Sequence, residues 1–136
     1  MLPLALILFG CAPVIRRTHE NATQWISVSE ELGQAAERAG IANQDTYLEI
    51  VNNALRGDQN ALSKVFRVSP ATDASASESQ AGILANIIKK IGDAAFSNTL
   101  KKESHDVIAR NTYLISCELS TDEKLYPNTM ALNKTD

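Results

Sequence analysis

From about Gln24 to Leu119, apolar positions recur at intervals of three and four, the period of helices that each bury one face. Ser27-x-x-Glu30 has capping-box spacing and predicts a helix through Ala39, with Leu32, Ala35, Ala36 and Ala39 on one face and Gly40 as its stop. Thr46-x-x-Glu49 offers a second box, followed by a stripe of Leu48, Val51 and Leu55 flanked by Tyr47, Ile50 and Ala54. Gly57-Asp58 reads as a joint. Gly57 suits a left-handed helix end, and Asp58 suits the cap of "QNALSKVFRV", which Ser69-Pro70 stops.

The stretch "SPATDASAS" is the least ordered-looking part of the interior. After it, Asp73 or Ser77 caps the most apolar helix, "ESQAGILANIIKKI", with Ile83, Leu84, Ile87, Ile88 and Ile91. Gly82 within it costs about 1 kcal/mol against alanine, and its reading is a close approach by a neighbouring helix. Gly92-Asp93 forms a second joint, followed by "AAFSNTLKKE". Ser104 then caps a last helix, "HDVIARNTYLISCEL", with Val107, Ile108, Leu114 and Ile115 on its buried face and Cys117 assigned to the same side. Only "QWISV" alternates like a strand, and it is short. The expected fold is all-α, about six helices in antiparallel hairpins.

The two Gly-Asp joints lie 35 residues apart, and Leu48, Val51 and Leu55 match Leu84, Ile87 and Ile91 at an offset of 36. Helix pairs at that period resemble helical-repeat, HEAT-like arrays, although the consensus residues of tetratricopeptide and ankyrin repeats are missing. An irregular bundle with two similar corners is the other arrangement the pattern allows.

Composition fits this picture. The chain is 44% hydrophobic and 21% charged, and aromatic residues make up only 5% of it, which suits an Ala/Leu/Ile helical core better than a sandwich. The net charge of −3 comes from scattered charges of both signs without a basic stripe, so nucleic acid is not an expected partner.

The opening residues have a different character. "LPLALILF" (2–9) has no polar face for a core helix, and Arg16-Arg17 ends the region before the roughly 20 apolar residues a membrane span needs. Its length suits the apolar region of a signal peptide. Leu8-Phe9-Gly10-Cys11 resembles a bacterial lipobox, with an aliphatic residue three before the cysteine and a small residue just before it. The resemblance implies cleavage after Gly10 and lipidation of Cys11, and the Ala12 that follows implies sorting to the outer membrane. Phe9 is bulkier than the pattern, and no Lys or Arg precedes the apolar run, so the expected start codon lies upstream. The expected organisation is a signal peptide over 1–10, a tether over 11–24, a helical domain over 25–119 and a polar tail over 120–136, where Leu125, Tyr126, Met130 and Leu132 could dock.

Candidate chemistry is sparse. Ser104-His105-Asp106 holds the residue types of a hydrolase triad, but adjacent residues opening a helix point about 100° apart and cannot form one. Ser104 reads as a cap, and Asp106 as a first-turn acid suited to the helix dipole. His19 and His105 lack companions for a zinc set, the two cysteines (Cys11 and Cys117) are too few for a disulfide framework, and Asp45, Glu49, Asp73 and Glu78 form no calcium loop. Gly-rich phosphate loops, GxSxG and CxxC are absent from the sequence. No catalytic residue, metal, cofactor or small-molecule substrate is therefore expected. Trp25, where tether meets domain, reads either as a partner contact or as a cover for the first helix pair. The expected function is a lipid-anchored, non-catalytic interaction domain facing the periplasm, with a membrane anchor at Cys11 and an envelope protein as partner. An immunity or inhibitor protein against a periplasmic enzyme is the alternative.

Overall fold

The computed structural model describes residues 26–119 and 123–134. Among these residues there is no strand, and seven α-helices follow one another: α1 (Glu30–Arg38), α2 (Gln44–Leu55), α3 (Gln59–Val68), α4 (Ala74–Ile91), α5 (Asp93–Leu100), α6 (His105–Glu118) and α7 (Pro127–Ala131). Short 3-10 turns cover Ser69–Ala71, Glu123–Leu125 and Leu132–Lys134. The fold is a small all-α bundle.

Local chemistry sets the boundaries. Asp58 and Ser104 cap α3 and α6 as their positions suggest, accepting from the amides of Ala61 (3.1 Å) and Val107 (3.5 Å). The first two caps differ from the capping-box reading. Ser29, not Ser27, accepts from Leu32 N–H at 3.2 Å, and Asn43, not Thr46, accepts from Thr46 N–H at 2.8 Å. In both places the helix starts where Ser29 and Asn43, rather than the box residues, stand directly before its first turn. Gly40 and Gly57 close their helices alike: each donates its own amide three residues back, and the next residue reaches five back, as Ile41 does to Ala36 and Asp58 to Asn53. That Schellman geometry needs the left-handed φ of 95° found at Gly57.

Gly92 also has positive φ (93°), yet the second joint differs from the first. It links α4 directly to α5, and Asp93 does not cap the helix it opens. The two Gly-Asp corners, 35 residues apart, thus carry different hydrogen bonds. In a helical array each hairpin touches only its neighbours. Here α4 packs against α1, α2, α5 and α6 together, so the elements form an irregular bundle around one central helix.

The core fills the space around α4, where Leu84, Ile87 and Ile88 meet Leu32, Tyr47, Val51, Leu62, Phe66, Phe96, Leu100 and Ile115. Phe66 and Phe96 meet edge to face, their centroids 5.0 Å apart and their planes at 78°. Close approach occurs at Gly33 rather than Gly82. A Cβ on Gly33 would lie 2.9 Å from Gln44 Cβ, whereas one on Gly82 would meet open space. That contact seats α1 on the start of α2, and Gln44 Nε2 also donates to the Val28 carbonyl where the chain joins the domain. At the other end, Tyr126, Met130 and Leu132 pack partly buried on the core, while Leu125 is exposed.

Candidate functional site

Gln80 lies in helical phase with Ala76, Leu84 and Ile87 on the buried side of α4, and like them it is fully buried. A buried carboxamide must be hydrogen-bonded, and the end of α3 explains its partners. Pro70 has no amide to donate, and Ser69 N–H turns back three residues to the Phe66 carbonyl, so the last carbonyls of α3 need other donors. Gln80 Nε2 donates to the Val65 carbonyl (2.9 Å), and Asn111 Nδ2 from α6 donates to that of Phe66 (3.0 Å).

The same side chains continue across the core. Tyr47 in α2 donates its hydroxyl to Gln80 Oε1 at 2.7 Å. Gln80 Nε2 also donates to Ser69 Oγ (2.9 Å), which donates on to Asn111 Oδ1 (2.6 Å). Four fully buried side chains thus join α2, α4, the 3-10 turn and α6 in one line. Arg110 adds contacts from the rim, donating to the carbonyls of Ser69 and Thr72 and, at 2.7 Å, to Ser77 Oγ. Arg38 donates to the Ala71 carbonyl at 2.9 Å. The stretch that looked least ordered in sequence opens with the most heavily cross-linked turn of the domain. Its Ser69, Ala71 and Thr72, in a stretch that signals a loop to the eye, are bonded by side chains of other helices.

This line of groups holds helices together. Burial pushes the Tyr47 hydroxyl well above the usual tyrosine range, so it stays protonated and keeps donating. A folded-state pKa above the unfolded value of about 10 favours the folded state below that pH, and the benefit is lost as pH rises beyond it. Stability should therefore fall by up to about 1.4 kcal/mol per pH unit above pH 10 on account of Tyr47 alone. Urea unfolding of the wild type and Tyr47→Phe between pH 9 and 11 should show the difference between the two narrowing with that slope. A constant difference would mean that Tyr47 ionises without cost in the folded chain.

Cys11, Gly10 and Trp25 lie outside the described residues. Ser104 acts as the cap of α6, and His105 and Asp106 are exposed beside it. Asp58 caps α3, while Asp93 is used at a distance, accepting from the amides of Asn128 (2.8 Å) and Thr129 (2.9 Å) at the start of α7. Among the described residues no group of three His, Cys, Asp or Glu side chains is placed to hold a metal ion. Cys117 is exposed, a correction to its assignment to the core. It lies two and three positions beyond Ile115 and Leu114, and at about 100° per residue that spacing turns it to the outer face of α6. Tyr113 shares the outer side of that helix at 57% exposure, under the Arg110 guanidinium at 5.8 Å.

Sequence reasoning missed Gln80 and Asn111. The signal was available: each is a carboxamide in phase with the apolar stripe of its own helix. A cleft of about 320 Å³ lies beside the α1–α2 turn, with Ile41 and Ile50 on its walls and Lys64 and Arg67 at its rim. Arg67 pairs there with Glu103 at 2.8 Å. No protein-family model, curated protein or solved structure matches this chain.

Proposed function

We propose that the chain is a lipid-anchored protein of the bacterial envelope whose helical domain binds another envelope protein without catalysing a reaction. The observation that carries this reading is Leu8-Phe9-Gly10-Cys11, where Gly10 leaves room beside the cut bond and Cys11 supplies the thiol for a lipid. None of the helices among the described residues is long and apolar enough to cross a membrane. In this reading lipid chains on Cys11 hold the protein at the surface, each buried methylene contributing about 0.8 kcal/mol. The chain from Cys11 to Ile26 spans at most about 50 Å even if fully extended, so the domain works close to the bilayer.

The build of the domain supports a binding role. Its buried Tyr47, Gln80, Ser69 and Asn111 are engaged in fixing helices to one another, which gives a rigid body to present a surface. The outer membrane follows from Ala12, and Trp25, just before the described domain, belongs to the proposed contact. Cells fed radiolabelled palmitate should label the native chain, expressed from any upstream start codon, and lose essentially all label with Cys11→Ser. Label on neither form, or label indifferent to the substitution, would overturn the reading.

A further inference from the structure

We draw no further inference here: the strongest candidate, the open cleft of about 320 Å³ between the α1–α2 turn and α3, with Ile41 and Ile50 on its walls and Lys64 at its rim, carries nothing, because nothing in the structure shows what fills it and a cleft of equal volume lies beside α5.

Discussion

Gln80→Ala is expected to destabilise the domain by roughly 3–5 kcal/mol, a large share of the 5–15 kcal/mol typical of a small domain. Two losses combine. The truncated side chain leaves a cavity beside Ala76 and Leu84, and the Tyr47 hydroxyl and Val65 carbonyl lose their partner in a place water does not reach. Ser69 Oγ keeps its bond to Asn111 and suffers less. At about 4–8 °C per kcal/mol for a domain of this size, the midpoint of thermal unfolding should drop by roughly 12–40 °C. Gln80→Leu nearly preserves the volume and isolates the polar part, so it should cost less than the alanine. Combined with Tyr47→Phe it should recover part of the loss, because no hydroxyl is then stranded. A urea-unfolding cycle of the four chains checks this. A loss under 1 kcal/mol for Gln80→Ala would show that the line of hydrogen bonds does not hold the helices.

The helices themselves were legible because their information is local. The stripe of α4, the Gly57-Asp58 joint, the Ser104 cap and the stop at Ser69-Pro70 each need only a few neighbouring residues to be recognised. What could not be read that way was any feature whose partner sits far along the chain. Gln80 looks like one polar residue in an apolar helix until α3 ends beside it with carbonyls to satisfy. Asp93 looks like a second Asp58, but its acceptors face α7, 35 residues on. The two Gly-Asp corners differ for the same reason: the same dipeptide can carry different hydrogen bonds. Cys117 was legible in principle, since Leu114 and Ile115 already fix which side of α6 is buried. The lipobox reading stands apart from the fold, as Gly10, Cys11 and Trp25 lie outside the described residues.

Phe96→Ala should cost a similar amount, about 3–5 kcal/mol, but through packing alone. The ring is fully buried and meets Phe66 edge to face, a geometry that contributes about 0.5–1.5 kcal/mol beyond area. Its effect should also spread in a defined direction. The eight-residue α5 begins at Gly92 without a side-chain cap, so Phe96 and Leu100 are what fasten it to the core. Because Asp93 in that helix holds the amides of α7, loosening α5 should loosen α7 with it. Hydrogen exchange should therefore lose protection at α5 and α7 together, while α1, which packs on the far side through Leu32 and Ala36, keeps its own. Phe96→Leu should cost less than half as much and leave α7 protected. A uniform loss of protection across all helices would instead mean that the bundle opens only as a whole, with α5 and α7 no more separable than the residues around Gln80.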